Sequence, residues 1–229
     1  MARETRGKLS IRATLAQRCD RALTATMPAR LDNTPRTDIA ATLAALPAFP
    51  QLQGKRVCLR APVAEDADAV FALFADPEVM RYWSRPPMTT RAEAEGLIAE
   101  ILDGFAQRTI FNWMVVARED DALIGTCALF RVDARHRRAE IGYSLRRDRW
   151  GQGLAAEAVS LMLDWSFRTL ALHRIEADID PRNEGSRRLL ERLGFSSEGL
   201  LRERYFVGEE ISDTELFGLL SGDWKLRSG

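Results

Sequence analysis

Cysteine and histidine are scarce in this chain, and their positions exclude two classes of site. The three cysteines are far apart and form no Cys-x-x-Cys pair. This disfavours a disulfide framework or a zinc site and is typical of reduced thiols packed in a core. The two histidines lack partners at metal-ligand spacing. We therefore expect no metal and a reducing, cytoplasmic environment. These residues are Cys19, Cys58, Cys127, His136 and His173.

Long apolar runs are missing as well. No segment approaches the roughly 20 apolar residues that a membrane-spanning helix needs, and the longest candidate, residues 39–49, is broken by Pro47. The basic N-terminus has no apolar centre of the kind found in signal peptides. Net charge is zero, with 33 basic and 33 acidic residues, which argues against a general nucleic-acid binder. We expect a soluble protein without a membrane or a direct nucleic-acid partner.

The chain does contain enough apolar residues for a folded domain. Hydrophobic residues make up 46% of its 229 residues, a length that suits one domain of about 150–200 residues with an extension. Residues 1–50 are rich in Arg, Thr, Ala and Pro. We expect 1–50 to be a poorly ordered or helical extension, with an apolar stripe from Leu9 to Leu23, and 51–229 to be the functional domain. A true start at Met27 is an alternative.

Hydrophobic periodicity gives the order of elements after residue 51. A strand is followed by two helices, a three-stranded meander, a helix, a strand, a helix and a final pair of strands. This order predicts a mixed α/β sheet rather than a repeating βαβ array. The predicted strands are about residues 56–60, 112–117, 123–130, 139–145, 175–179, 199–207 and 211–220, and the best-defined helices are 91–107 and 183–193.

The segment from Arg149 to Ala158, Arg-Trp-Gly-Gln-Gly-Leu-Ala-Ala-Glu-Ala, lies between a predicted strand and a predicted helix. Gly151 and Gly153 let the backbone turn sharply and direct several N–H groups toward one point at the helix start. Such a point binds phosphate groups, because unpaired N–H groups and the positive end of the helix dipole converge there. The loop therefore predicts a phosphorylated cofactor.

The residues of this loop leave three interpretations open. Gly151-x-Gly153-x-x-Ala156 fits the Rossmann dinucleotide spacing, and Glu176 would then contact the ribose. That fingerprint normally follows its strand at once and opens the domain, whereas here residues 146–150 intervene and several elements come first. A purely structural glycine turn is the second interpretation. The pyrophosphate loop of an acyl-CoA site is the third.

The third interpretation is supported by a resemblance. Residues 150–158 resemble the pyrophosphate loop of the GNAT acetyltransferases, whose general pattern is Gln/Arg-x-x-Gly-x-Gly/Ala. Gly153 and Ala155 match its last two positions, and Trp150 replaces the leading residue. That replacement, with Glu157 following, is typical of the branch that contains the ribosomal-protein-alanine N-acetyltransferases.

Two further motifs extend the resemblance. Residues 181–199 resemble that branch's Asn-x-x-Ser helix, here Asn183 and Ser186, followed by Gly-Phe-x-x-Glu-Gly. Residues 140–145 are similar to its splayed central strand. The three motifs occur in order and cover about residues 52–225 of the chain.

The resemblance implies a fold and an activity. It implies the GNAT-like acyl-CoA N-acyltransferase fold, an α/β structure with a mostly antiparallel central sheet that is splayed in the middle and flanked by helices. It also implies an acetyl-CoA-dependent N-acetyltransferase with acetyl-CoA as co-substrate and no metal. The expected acceptor is a protein N-terminal amine. A polyamine or aminoglycoside acceptor and a catalytically inactive acyl-CoA-binding module are alternatives, and a homodimer is left open.

The resemblance also assigns a cofactor site. Pantetheine would run beside the strand 140–145 like an extra strand and reach Asn183, which has an alternative role as a helix cap. Arg146, Arg147 and Arg149 are close enough in sequence to meet the 3′-phosphate, unless they are simply solvated. The predicted cofactor-binding residues are Leu145, Arg146, Arg149, Trp150, Gly151, Gln152, Gly153, Leu154, Ala155, Ala156, Asn183 and Ser186.

Acyl transfer to an amine needs a neutral amine, a polarised carbonyl and a proton for the thiolate. An α-amino group has a pKa near 8, whereas a lysine or polyamine amine near 10.4 costs about 4 kcal/mol to deprotonate at neutral pH. Glu140 is the predicted base, through a water, or else a surface carboxylate paired with Arg137 or Arg138. Glu203 and Asp213 are weaker candidates. N–H groups near Leu145 would polarise the thioester carbonyl.

Two residues are candidates for the thiolate proton. The branch analogy points to Ser186, which otherwise only hydrogen-bonds the cofactor, and Tyr205 is the runner-up. Some alanine acetyltransferases of the branch carry a glutamate where Tyr205 falls here, which leaves the acceptor assignment open. Tyr82 and Trp83 belong to an aromatic loop that is expected to bind substrate together with Glu140, although Trp83 is equally interpreted as a core anchor.

Overall fold

A computed structural model describes residues 38–228, with side chains described to residue 224. The strands of this part are β1 Leu52–Gln53, β2 Val57–Arg60, β3 Ile110–Ala117, β4 Leu123–Asp133, β5 Arg138–Leu145, β6 Arg174–Ile179, β7 Ser196–Val207 and β8 Glu210–Leu220. They form one sheet of eight strands in the order β1-β2-β3-β4-β5-β6-β8-β7. Neighbouring strands are antiparallel, except that β5 and β6 are parallel.

Helices cover both faces of the sheet. Successive side chains of a strand point to opposite faces, so Trp113 of β3 lies in one apolar cluster and Met114 in the other. The helices are α1 Ile39–Ala44, α2 Ala67–Ala75, α3 Pro77–Met80, α4 Arg91–Ala106, α5 Leu154–Arg168, α6 Glu184–Leu193 and α7 Ser221–Ser228. The Trp113 cluster is covered by α1, α5 and α6, and the Met114 cluster by α2, α3 and α4.

The sheet opens between β5 and β6. These strands pair at their beginnings, and the pairing ends at Glu140 and Glu176. Beyond that point β5 continues to Leu145 and β6 to Ile179 without pairing to each other. The two strands therefore diverge and leave a gap in the middle of the sheet. The predicted fold, a mostly antiparallel α/β sheet splayed in the middle, is confirmed.

Two short helices were not expected from the sequence. Asp76 and Pro77 end α2 as predicted, but Asp76 then caps α3, since its Oδ1 accepts a hydrogen bond from the N–H of Glu78 at 2.9 Å. The second unexpected helix is α7 at the C-terminal end. No helix among residues 38–228 is long and apolar enough to span a membrane.

Residues 38–50 pack on the domain. Ile39 and Leu43 of α1 are buried in the Trp113 cluster, and the carbonyl of Pro50 accepts a hydrogen bond from Trp113 Nε1 at 2.7 Å. The folded part thus begins before residue 51. The expected helical stripe from Leu9 to Leu23 lies outside the described residues, as does most of the expected extension.

Candidate active site

The gap between β5 and β6 exposes main-chain groups of β5. The N–H of Arg146 donates to Ile124 of β4 at 2.7 Å, so even-numbered residues at this end of β5 direct their main-chain groups toward β4. Alternation along the strand then directs the N–H groups of Tyr143 and Leu145 toward the gap. An extended ligand in the gap can therefore pair with β5 as an additional strand would.

The glycine loop follows the end of β5. A single 3₁₀ turn, Arg147–Arg149, leads into Gly151 and Gly153, whose φ angles are 73° and 75°. These left-handed values favour glycine, because a Cβ there costs about 1 kcal/mol. Helix α5 begins at Leu154, and no side chain caps its N-terminus. The first N–H groups of α5 are thus left to bind an anion.

Arg56 holds this loop in place, although it precedes the loop by almost a hundred residues in sequence. The sequence around Arg56 did not indicate this role. Its Nη1 donates to the carbonyl of Gln152 at 2.8 Å, and its Nε donates to Glu157 at 2.9 Å. Glu157 also accepts the main-chain N–H of Arg56 at 2.7 Å. Burial pushes the pKa of Glu157 upward, but the bonds from Arg56 outweigh it and leave that pKa below its usual range. The start of β2 and the loop are therefore clamped together.

The predicted phosphate-binding arginines are engaged with carboxylates. Arg149 pairs with Asp120, and Arg146 pairs with Asp148 at 2.9 Å. Arg147 is exposed and has no ion pair within residues 38–228. Trp150 is 46% exposed, and its Nε1 donates to the carbonyl of Leu145 at 2.7 Å. The indole therefore ties the loop to the end of β5.

Asn183 and Ser186 lie at the start of α6. The Oδ1 of Asn183 accepts the N–H of Ser186 at 3.0 Å, so the helix-cap role is present. This bond leaves the Nδ2 of Asn183 and the hydroxyl of Ser186 without a partner in the described part of the chain. The phenol of Tyr143, on β5, lies 3.5 Å from the carbonyl of Ser186. Burial raises the pKa of Tyr143, so this phenol stays neutral.

A cavity of about 730 Å³ lies beside the gap. It brings together six predicted site residues that are distant in sequence, and none of the glycine-loop residues lines it. Its floor includes strands β3 to β5, one wall is the loop before α4, and the other wall comes from β6, β7 and β8. The six predicted residues are Tyr82, Trp83, Glu140, Asn183, Ser186 and Tyr205.

Glu140 has a different partner from those expected. Neither Arg137 nor Arg138 pairs with it; Arg131 donates to its Oε2 at 2.8 Å. The reason is the irregular end of β4, where Arg131 has a φ of 50° and the register shifts after Phe130. The Glu140 side chain remains 20% exposed. It is therefore a partly buried carboxylate in the cavity, next to the point where the strands part.

Tyr205 is bonded to a carboxylate. Its O–H donates to Asp178 Oδ2 at 2.6 Å. Burial raises the pKa of Tyr205, and the Asp178 carboxylate raises it further. Of the weaker base candidates, Asp213 lines the cavity and accepts the N–H of Glu203 at 2.8 Å, whereas Glu203 is exposed outside it.

The aromatic loop contributes to the core and to the cavity. Trp83 packs edge-on against the buried Phe74, with ring centroids 5.6 Å apart, and therefore belongs to the Met114 cluster. It also lines the cavity, as does Tyr82. Trp83 is thus both a core side chain and part of the cavity wall.

The five carboxylates that line the cavity all have partners within the described residues. Arg182 pairs with two of them, Asp180 at 2.6 Å and Glu210 at 2.7 Å. Of the remaining three, Glu140 pairs with Arg131, Asp178 accepts the hydroxyl of Tyr205, and Asp213 accepts the main-chain N–H of Glu203. With four arginines in the lining, the cavity is nearly balanced in charge.

The described residues contain no group of three or more His, Cys, Asp or Glu side chains arranged to hold a metal ion. Glu176, which the dinucleotide interpretation required for a ribose, is held instead by Arg138 at 2.8 Å and Arg174 at 2.6 Å.

Comparison with known proteins agrees with this geometry. Residues 56–196 match the family model described as the acetyltransferase (GNAT) domain. The chain is 38% identical over 173 residues to the uncharacterized N-acetyltransferase p20 of Bacillus licheniformis, which covers 76% of this chain and 97% of that protein. It is 30% identical over 151 residues to the spermidine N(1)-acetyltransferase of Escherichia coli, which covers 66% of this chain and 78% of that protein.

Solved structures give the same result. The spermidine N-acetyltransferase of Vibrio cholerae, in complex with CoA and spermine, superposes with a TM-score of 0.67 at 26% identity and covers 75% of this chain and 99% of its own. The ribosomal-protein-S5-alanine acetyltransferase of Vibrio fischeri has the same fold, with a TM-score of 0.68, 24% identity and coverage of 76% and 98%. This chain therefore belongs to the GNAT acetyltransferase family and is an N-acetyltransferase.

Proposed function

We propose that this protein transfers the acetyl group of acetyl-CoA to the α-amino group of a peptide or protein N-terminus. The donor part of the proposal rests on the glycine loop and the gap. The pyrophosphate binds the N–H groups of residues 151–156, and pantetheine extends beside β5, where the N–H groups of Tyr143 and Leu145 are free to pair. The Nδ2 of Asn183 donates to pantetheine from the opposite side of the gap.

The transfer is direct, within a complex of enzyme, acetyl-CoA and acceptor. The amine nitrogen attacks the thioester carbonyl, the C–N bond forms and the C–S bond breaks. Glu140 removes the amine proton through a water molecule, and the hydroxyl of Ser186 hydrogen-bonds the departing thiolate. The proton lost by the amine equals the proton gained by the thiol, so the reaction needs no redox partner.

The observation that favours an α-amino acceptor is the set of partnered carboxylates in the cavity. A polyamine carries several ammonium groups and needs several unpaired carboxylates, but Arg131 and Arg182 already pair with three of the five. The α-amine also suits a modest base. With a pKa near 8 the α-amine is partly neutral at physiological pH, whereas deprotonating an amine with a pKa near 10.4 costs about 4 kcal/mol.

A polyamine acceptor is the second candidate. Asp178 and Asp213 line the cavity without an arginine partner among residues 38–228, and each accepts one hydrogen bond there. One relative named above is a spermidine acetyltransferase. An inactive acyl-CoA-binding module is the third, and it would have no need of Glu140 and Ser186 at the gap.

The test is an acceptor screen with acetyl-CoA and purified protein. Peptides with free N-termini, spermidine and an aminoglycoside are compared by release of free thiol and by mass spectrometry of the products. We expect the peptides to have the highest kcat/KM. A preference for spermidine or the aminoglycoside would overturn the α-amine assignment, and tight acetyl-CoA binding without thiol release would identify a binding module.

A further inference from the structure

Arg85 is held in the cavity in an unusual way. Its guanidinium lies over the ring of Phe74, 4.9 Å from the centroid, and near the ring of Trp83, at 5.9 Å. The side chain makes no ion pair and no hydrogen bond within residues 38–228. Its Nε is fully buried without a hydrogen-bond partner. Stacking fixes the plane of the guanidinium and leaves its N–H edge unused.

A buried guanidinium without a hydrogen-bond partner destabilises the folded protein. Burial lowers the pKa of Arg85, and the nearest acids, Glu100 and Glu93 on α4, only partly oppose that shift. A buried donor without a partner lowers stability, because it has lost its hydrogen bonds to water. Because the Arg85 side chain lines the cavity, the missing partner is best supplied by a ligand with an oxygen acceptor.

A second buried polar atom lines the same cavity. Oδ1 of Asn112 is inaccessible and accepts no hydrogen bond. Asn112 pairs in register with Ala128, and Ala128 pairs with Gly142 of β5. Residues in such a row share one face of the sheet, and the two small residues leave the floor between Asn112 and β5 open. Arg85 and Asn112 thus give the cavity one buried donor and one buried acceptor that have no partner among the described residues.

The spacing to the reaction centre fits a short peptide. Asn112 is two strands away from β5, and Glu140 is two residues along β5 from Gly142. With about 4.8 Å between strands and 3.4 Å per residue, the separation is about 12 Å. An extended peptide covers about 3.3 Å per residue. A chain with its amine at Glu140 would therefore reach Asn112 at about its third or fourth residue.

We infer that Arg85 and Asn112 form a subsite that binds the main chain of a peptide acceptor, with Arg85 donating to a carbonyl oxygen and Asn112 accepting an amide N–H near the third residue. This inference rests on the proposed function, because it assumes an acceptor that carries peptide groups. A polyamine has no oxygen to offer Arg85.

The experiment is a length series of acceptors, from alaninamide to an N-terminal pentapeptide amide, assayed with the wild type and with Arg85→Met. Methionine keeps an unbranched chain of similar reach and removes the guanidinium. We expect kcat/KM of the wild type to rise with length up to three or four residues. Arg85→Met should lose about tenfold to a hundredfold for the longer peptides, mainly in KM, and less than twofold for alaninamide.

Controls separate recognition from folding. Arg202→Met, at an exposed position of β7 outside the cavity, should behave as the wild type, and both variants should bind acetyl-CoA with unchanged affinity. An equal loss at every acceptor length, or no loss at all, would overturn the subsite. A wild type that acetylates no peptide would overturn the proposed function, and the subsite with it; normal peptide activity in Arg85→Met would overturn the subsite alone.

Discussion

The proposed acetyl-CoA site, here called the donor half, and the proposed amine site, here called the acceptor half, use different kinds of protein groups. In the proposed site, the donor half consists mainly of main-chain groups in one stretch of sequence, from the open edge of β5 through the glycine loop to the first turn of α5, together with the side chain of Asn183. The acceptor half consists of side chains from β3, β5, β6, β7, β8 and the loop before α4. Main-chain donors depend on backbone conformation, whereas a side-chain wall changes with every substitution. We therefore propose that the donor half carries the chemistry common to the family and that the acceptor half selects the amine.

The largest effect is expected from Gly153→Glu in the donor half. The substitution places a carboxylate at the predicted pyrophosphate site and a side chain at a φ of 75°, with its Cβ 3.4 Å from Arg56 Nη2. We expect acetyl-CoA affinity to fall at least a hundredfold by calorimetry. Gly208→Glu carries a similar backbone strain, at a φ of 61° in the β7–β8 turn, and should bind acetyl-CoA normally. Equal affinity in the two variants would refute the loop assignment.

Glu140→Gln tests the junction of the two halves. Loss of the base should lower kcat about tenfold to a hundredfold at neutral pH and leave acetyl-CoA affinity unchanged. Because the α-amine becomes neutral above its pKa near 8, the loss should shrink as the pH of the assay rises from 7 to 9. Glu203→Gln, an exposed position outside the cavity, is the control. A loss that does not depend on pH would contradict the role of Glu140 as a base.

A smaller effect is expected when the clamp on the loop is removed. Arg56→Gln loses the bonds to Gln152 and Glu157, so the loop is less well ordered before the cofactor binds. We expect KM for acetyl-CoA to rise about tenfold while kcat with saturating acetyl-CoA changes less than twofold. Arg168→Gln, at the far end of α5 and 67% exposed, is the matched control. A fall in kcat without a change in KM would place Arg56 in the chemistry rather than in cofactor binding.

The pH dependence of this clamp has a definite sign. The pKa of Glu157 is depressed in the folded protein, so the stability that the pair contributes is present above the ordinary carboxyl pKa of about 4.3 and is lost as the pH falls through the depressed value. Assays near neutral pH therefore measure the intact clamp.

The smallest effects concern the leaving thiolate. Ser186→Ala should lower kcat only about threefold to tenfold, because a thiolate with a pKa near 8.5 leaves readily. Tyr205→Phe should have a smaller effect, since its proton is held by Asp178. Single-turnover release of free thiol measures both. A hundredfold loss in Tyr205→Phe would identify Tyr205 as the proton donor and displace Ser186.

Local patterns made the fold and the shape of the glycine loop predictable from the sequence. Hydrophobic periodicity located the main elements, and Gly151 and Gly153 permit the left-handed conformation that the structure gives them. The motif residues Asn183 and Ser186 lie together at one helix start, as their spacing indicates. Short elements such as α3 were missed because four residues carry almost no periodic signal.

The pairings within the acceptor half could not be predicted, because they join residues far apart in sequence. Arg131 contacts Glu140 because the register of β4 shifts near its end. Nearness in sequence therefore pointed wrongly to Arg137 and Arg138. Arg85 has no motif around it, and its significance comes from the absence of a partner. Arg56 likewise precedes the loop that it holds by almost a hundred residues.

The most direct test of the proposed acetyl transfer to an α-amine is the position of the acetyl group when different amines compete. A peptide with a free α-amine and an internal lysine is mixed with an equal concentration of spermidine, acetyl-CoA and the wild-type protein, and the products are located by tandem mass spectrometry. We predict that the acetyl group is found on the α-amine of the peptide. Acetylation mainly of spermidine or of the lysine side chain would contradict the account.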